Sequence, residues 1–226
     1  MIKAVLFDMD GILFDSEKHY MAGTIEQMKA YGYRGDIKDI YRIIGTSMKE
    51  TYEILYELLD GKVELDTIIK NNEKYFLEDH PLDYKGLMFD GVEEVVKELK
   101  DKGIRLAVCS SSPKETILEA LSEMGIKDYF EVIISSDEVS KSKPEPDVYL
   151  KAVELLRIEK EDCIVYEDSR LGIEAGINAG IYTIGRRDDR FYQDISEADY
   201  IVNDIYELRE WIRKENGYAW SNKNRR

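Results

Sequence analysis

Hydrophobic positions along the chain follow two regimes. From about Glu17 to Asp79 they recur at helical spacing: at Met21, Ile25 and Met28, at Tyr52, Leu55, Tyr56 and Leu59, and at Leu65, Ile68, Ile69 and Phe76. From about Leu87 short apolar runs alternate with amphipathic segments. Val92, Val95, Val96 and Leu99 mark a helix that Gly103 stops, and Ile104 to Cys109 reads as a strand. Ile117, Leu118, Leu121 and Met124 repeat the helix, Val132 to Ile134 the strand, and Pro146 to Leu156 the helix again. Cys163 to Tyr166 is a further strand and Leu171 to Ala179 a further helix, before short closing strands at Tyr182 to Ile184 and Tyr200 to Val202 and a last helix at Leu208 to Ile212. Such alternation predicts a parallel sheet with crossover helices, an α/β fold. Val5 to Phe7 supplies the first strand, so the all-helical block is an insertion directly behind it. Residues 1–15 and 84–226 are expected to form the α/β core and 16–83 a helical cap, placed to serve as a lid over that strand's end.

Composition narrows the partners. The 226 residues carry a formal net charge of -15, which argues against nucleic acid or an anionic membrane, since either selects for a basic face. Lys223, Arg225 and Arg226 read as a solvated tail. No apolar run reaches membrane-spanning length and the first residues lack the pattern of a signal peptide, so a cytoplasmic location is expected. Cys109 and Cys163 sit in strand-like runs and are expected to be buried free thiols.

Candidate chemistry gathers at the predicted strand ends, where open α/β sheets collect ligands. Asp8 and Asp10 follow the first strand two residues apart, on one side of it, as an aspartate nucleophile with a partner carboxylate would; Asp10-Gly11 between two apolar runs is equally a β-hairpin signal. The second strand ends in Ser110, Ser111 and Ser112. Ser112 is expected to form a capping box with Glu115, leaving Ser110 and Ser111 as an anion site at a helix N-terminus. Beyond the third strand, Lys143 is favoured over Lys141 as a fixed ammonium because Pro144 restricts its backbone. The fourth strand ends in Glu167-Asp168. Two more carboxylates facing Asp8 and Asp10 concentrate negative charge that a divalent cation relieves, and all-oxygen ligation suits magnesium. Asp168 or Ser169 also fits as the N-cap of the next helix, and Gly172, Gly176 and Gly180 are expected to allow close helix packing.

Taken together, Asp8-Met9-Asp10-Gly11, the Ser110 strand end, Lys143-Pro144 and Glu167-Asp168 resemble the four motifs of the haloacid dehalogenase superfamily, over nearly the whole chain. Asp15-Ser16-Glu17 resembles the hinge of its phosphatase and phosphoglucomutase branch, and the insert its small helical cap. The resemblance implies a Rossmann-like core, with Asp8 as phosphoryl-accepting nucleophile and Asp10 as general acid and base. It further implies Mg2+ held by Asp8, the Asp10 carbonyl and Asp168, with Glu167 bound directly or through water, and phosphate held by Ser110, the Ser111 amide and Lys143. The substrate would be a small phosphorylated metabolite.

Asp10 argues for phosphate esters over carbon-halogen bonds, which need no protonated leaving oxygen. Phosphonate cleavage is disfavoured, since Gly45 to Lys49 is offset by one from that branch's cap motif. β-Phosphoglucomutase-like transfer is the nearer rival. The mutases carry histidine and arginine where this chain has Tyr20 and Met48, although His19 and Lys49 each lie one residue off. A non-catalytic phospholigand-binding protein is the remaining alternative, and the presence of every motif carboxylate weighs against it.

Overall fold

The computed structural model describes residues 1–44, 46, 48–191 and 193–217. Gly45 and the tail lysine and arginines lie outside the described residues. Contacts divide the chain into two units: Met1–Phe14 together with the chain from Met88 onward, and Asp15–Leu87.

The larger unit is built on strands β1 (Ala4–Phe7), β2 (Arg105–Ser110), β3 (Val132–Ser135), β4 (Cys163–Glu167), β5 (Tyr182–Arg186) and β6 (Tyr200–Val202). They lie in the order β3-β2-β1-β4-β5-β6, all neighbours parallel. β1 is apolar throughout because helices cover both faces of a parallel sheet, and its four residues are fully buried. The chain moves outward from β1 through β2 to β3, then returns to β1's other side for β4 to β6. The crevice at the carboxyl ends of β2, β1 and β4 therefore lies at the switch point where such sheets bind ligands. Parallel pairing of β1 on both sides resolves the Asp10-Gly11 ambiguity: the segment is no hairpin but a turn closed by the Gly11 N–H donating to the Phe14 carbonyl at 3.0 Å.

Alternation decides which side chains share a face. Leu6, Ala107, Cys109 and Val165 pack against Val148, Tyr149 and Ala152 of one crossover helix and Ala175 and Ala179 of another. Asp8, just past β1, and Glu167, the last residue of β4, continue that same face, which brings Glu167 onto the Tyr149 hydroxyl.

The smaller unit is helical, with α1 (Ser16–Ala30), α2 (Ile37–Ile40), α3 (Met48–Leu58), α4 (Leu65–Lys74) and α5 (Tyr84–Leu87). Asp15 caps α1 by accepting from the Lys18 N–H. Its core is Met21, Met28, Ile40, Tyr52, Leu55, Leu59 and Ile68, all but Ile40 being helical-period positions of the sequence, whereas Tyr56 of the same series is exposed. The larger unit adds α6 (Val92–Asp101), α7 (Lys114–Glu123), α8 (Asp147–Leu156), α9 (Arg170–Ala179) and α10 (Ile205–Glu215). Among the described residues no helix is long and apolar enough to cross a membrane.

Candidate active site

Strand register sets the centre of the site. Phe7 is level with Val108 of β2 and Tyr166 of β4, so Asp8 emerges beside Cys109 and Glu167, and its own N–H donates to the Tyr166 carbonyl at 3.0 Å. The Lys143 ammonium reaches in from the loop before α8 and gives its three protons to Asp8 Oδ1 at 2.6 Å, Glu167 Oε1 at 2.7 Å and the Cys109 carbonyl at 3.0 Å. Its side chain is only 6% exposed, whereas Lys141 is solvated and paired with Glu145. The Lys143-Pro144 peptide is cis.

Asp8 is 8% exposed and Glu167 fully buried. Burial pushes the Asp8 carboxyl up to about 8; Lys143 opposes this, while Glu167 and Asp10 add to it. Burial also works against ionisation of Glu167, but the Lys143 ammonium and the Ser169 donors outweigh it and hold Glu167 below the usual carboxylate range. For Lys143 the two carboxylates overcome burial and keep the ammonium charged far above neutrality.

Asp8, Glu167 and Asp168 each offer a carboxylate oxygen within 4.8 Å of the others. The Lys143 ammonium pairs with Asp8 and Glu167, and the turn is shaped to bring Asp168 close: Gly11 has φ +70°, and a Cβ on it would fall 2.0 Å from Asp168 Oδ2. This all-oxygen carboxylate set fits a hard divalent cation.

Ser110 is buried, and its hydroxyl accepts from the Ser112 N–H at 3.0 Å, which leaves its own proton to donate. Ser111 is exposed beside it. Ser112 corrects an expectation. It forms no capping box; α7 is preceded by Pro113 without a side-chain cap, and the Ser112 hydroxyl instead donates to Asp10 Oδ2 at 3.1 Å. Ser169 is the N-cap of α9.

Three further residues belong to the site. The Tyr149 hydroxyl donates to Glu167 Oε1 at 3.0 Å, and its ring lies 5.1 Å below the Lys143 ammonium. Arg186 at the end of β5 stacks on Phe89 and donates to the Gly11 carbonyl at 3.0 Å, bracing the turn behind Asp10. Gly172 gives Glu167 its space, since a Cβ there would lie 1.6 Å from Glu167 Oε1. The expected role of these glycines in helix packing is thus only partly met: Gly176 admits Thr183, and Gly180 is the left-handed C-cap of α9. In the sequence, Tyr149 signals itself only as an apolar-face position of α8, and Ser112 is masked by its resemblance to a cap.

Both cysteines are buried, free thiols. Burial pushes Cys163 up to about 12 and Cys109 still higher, so neither is a thiolate nucleophile.

Residues 5–186 match the family of haloacid dehalogenase-like hydrolases. The chain belongs to this family. It is 35% identical over 186 residues to a phosphorylated carbohydrates phosphatase of Thermotoga maritima, covering 81% of this chain and 84% of the relative. To the validoxylamine A 7'-phosphate phosphatase of Streptomyces hygroscopicus subsp. limoneus it is 29% identical, over 92% and 97% of the two chains. A crystal structure of a Thermotoga maritima protein provisionally named a beta-phosphoglucomutase superposes with a TM-score of 0.76 at 30% identity, covering 94% of this chain and 99% of that one.

Proposed function

We propose that this haloacid dehalogenase-family enzyme is a cytoplasmic, magnesium-dependent phosphatase that hydrolyses small phosphorylated metabolites, sugar phosphates foremost, through an aspartyl-phosphate on Asp8. The observation that carries this reading is the buried Asp8 carboxylate held by Lys143 at 2.6 Å, beside Asp10 and the Ser110 strand end. The sugar-phosphate class rests on the likeness to the carbohydrate phosphatase.

In the first step an Asp8 oxygen bonds to phosphorus as the ester P–O bond breaks, and Asp10 gives a proton to the departing oxygen. In the second, Asp10 takes a proton from a water that attacks the same phosphorus, releasing inorganic phosphate and restoring Asp8. Ser110, the Ser111 N–H and the Lys143 charge hold the phosphoryl oxygens. Asp8, the Asp10 carbonyl and Asp168 would hold magnesium, which supplies charge neutralisation at the transferred group. The Ser112 hydroxyl orients Asp10 while it is ionised. The helical insert, residues 16–83, is the cap that selects substrate.

A mutase reading draws on the structural likeness to the provisionally named beta-phosphoglucomutase. Several features favour hydrolysis over it. Met48 is uncharged and 60% exposed, His19 Nε2 is bonded to the His80 carbonyl at 3.1 Å, and Lys49 pairs with Glu53 on its own helix. A screen of phosphorylated metabolites for released phosphate, with and without magnesium, tests the activity; equal turnover in a chelator contradicts the metal assignment. β-Glucose 1-phosphate with catalytic glucose 1,6-bisphosphate tests the choice between reactions. Hydrolysis yields glucose and phosphate, whereas faster formation of glucose 6-phosphate makes the enzyme a mutase and His19 and Lys49 functional residues.

A further inference from the structure

The turn that follows Asp10 meets two opposed demands. Position 11 has to be glycine, because its φ is +70° and a Cβ there would fall 2.0 Å from Asp168 Oδ2. Glycine, however, gives the backbone beside Asp10 more conformational freedom than any other residue would. A peptide plane is rigid, so the course of the chain at Gly11 is set once the planes on either side of it are held. The plane before it is held through the Gly11 N–H, which donates to the Phe14 carbonyl at 3.0 Å. The plane after it is held through the Gly11 carbonyl, which accepts from Arg186 Nη1 at 3.0 Å. Arg186 is itself seated. Its side chain is 12% exposed, its guanidinium carbon lies 4.0 Å from the centre of the Phe89 ring, and it pairs with Asp188 Oδ2 at 3.6 Å. Phe89 in turn donates its N–H to the Leu13 carbonyl at 3.1 Å, which ties the ring to the same turn. The strand does not require a cation there: Thr183, Ile184 and Gly185 of β5 are buried and uncharged, and a largely buried guanidinium carries a desolvation cost.

We propose that Arg186 is a positioning residue for Asp10: by holding the Gly11 carbonyl it stiffens the one turn that glycine loosens, and so keeps the Asp10 carboxyl aimed for proton transfer. The Ser112 hydroxyl, donating to Asp10 Oδ2 at 3.1 Å, holds the other end of the same residue. Arginine suits the task because a guanidinium packs on an aromatic ring while its edge still donates to a carbonyl and a carboxylate, which an ammonium cannot do together. The inference rests on the phosphatase reading for the role of Asp10, which gives its proton to the ester oxygen as the bond from that oxygen to phosphorus breaks, and takes one from the attacking water. A step that draws on Asp10 therefore depends on Arg186, and a step that does not is spared.

Single-turnover release of the phenol from 4-nitrophenyl phosphate and from phenyl phosphate, with enzyme in excess and magnesium saturating, tests it. Nitrophenolate leaves without a proton, whereas the more basic phenolate draws on Asp10. In Arg186→Met the release of 4-nitrophenol should stay within about threefold of wild type, while the release of phenol should fall by about tenfold or more, the order of loss that a misaimed catalytic group brings. Hydrolysis of the phosphoenzyme, which needs Asp10 as base, should slow by about the same factor whichever ester supplied the phosphoryl group. Equal slowing of both phenols, slowing of neither, or unchanged phosphoenzyme hydrolysis overturns the proposal, since an arginine that only supports the fold acts on both esters alike. Should Arg186→Met not fold, Phe89→Leu takes its place, removing the ring that seats the guanidinium but keeping the charge. Its loss should be selective for phenyl phosphate by about threefold or more, and a loss shared by both esters or absent from both counts against the proposal. Wild-type protein that takes no phosphoryl group from either ester and releases no phosphate from any metabolite ends the functional reading and this inference together. Wild-type turnover through a phosphoenzyme, with both phenols slowed alike in Arg186→Met, ends only the inference.

Discussion

The two units treat charge in opposite ways. In the α/β unit, Lys143, Asp8 and Glu167 form one buried cluster with side chains 6%, 11% and 1% exposed, joining positions 135 and 24 residues apart in sequence. In the helical unit the pairs Arg42–Glu57, Lys49–Glu53, Lys62–Asp60 and Lys74–Asp79 join near neighbours, and every partner is at least 48% exposed. Exposed pairs contribute little to stability, whereas a buried ionic cluster carries a desolvation cost that apolar residues of the same shape avoid. A fold needs no such cluster. Its presence at the sheet's switch point is what the proposed chemistry accounts for, while the four pairs of the helical unit are solvated.

The sharpest way to break this contrast is Asp8→Asn. An amide does not attack phosphorus, so turnover should fall by at least about a thousandfold with the fold intact by circular dichroism. Retained activity without deamidation by mass spectrometry would mean the buried cluster is structural. Lys143→Met comes next. It leaves two buried carboxylates without their cation and should cost about 3–5 kcal/mol of stability by urea unfolding, in addition to loss of turnover. A stability equal to wild type would remove the distinction between the two units.

Acidity separates them further. Burial pushes Asp8 from its ordinary 3.8 up to about 8 in the metal-free protein. Through that window the folded state holds a proton that the unfolded chain has released, so stability falls as pH rises and the Asp8 contribution is fully lost above about 8. Glu167, held below its ordinary 4.5, acts in the reverse sense and only in acid. Thermal melts in chelator between pH 5 and pH 8 should therefore slope downward in wild type and less so in Asp8→Asn. Parallel slopes in the two proteins contradict the assignment. The smallest effect belongs to the helical unit: Lys49→Ala should change neither melting temperature nor hydrolysis of an aryl phosphate measurably, given that its 3.8 Å pair with Glu53 is solvated. A marked fall in activity would make Lys49 a substrate contact.

Most of the fold was readable because periodicity and burial coincide. The positions Val92, Val95, Val96 and Leu99, or Ile117 and Leu121, are buried because they face the sheet, and the strands lie where short apolar runs were bounded by Gly and polar clusters. Asp8, Asp10, Ser110, Glu167 and Asp168 were legible as polar residues at the ends of those runs, and Lys143 by the proline that follows it. What was not legible depends on distance through space. Ser112 has the local pattern of a cap, and only the approach of the β1 end to the β2 end gives its hydroxyl to Asp10. Tyr149 looks like any apolar helix position, and its hydroxyl matters because α8 crosses the face that Glu167 continues. Gly172 reads as a small helix residue, and its purpose is set by a carboxylate five positions earlier.

In the proposed mechanism Asp8 carries the phosphoryl group and Asp10 moves the protons. An aryl phosphate with a good leaving group needs no acid in the first step, so in Asp10→Asn that step proceeds while the second, which needs a base, stalls. Rapid mixing of this variant with the aryl phosphate and magnesium should release a burst of one aryl alcohol per enzyme. Quenched protein should then carry one phosphoryl group on the peptide that contains Asp8. Steady release of the alcohol without a burst, with no phosphoryl group on that peptide, would contradict the account.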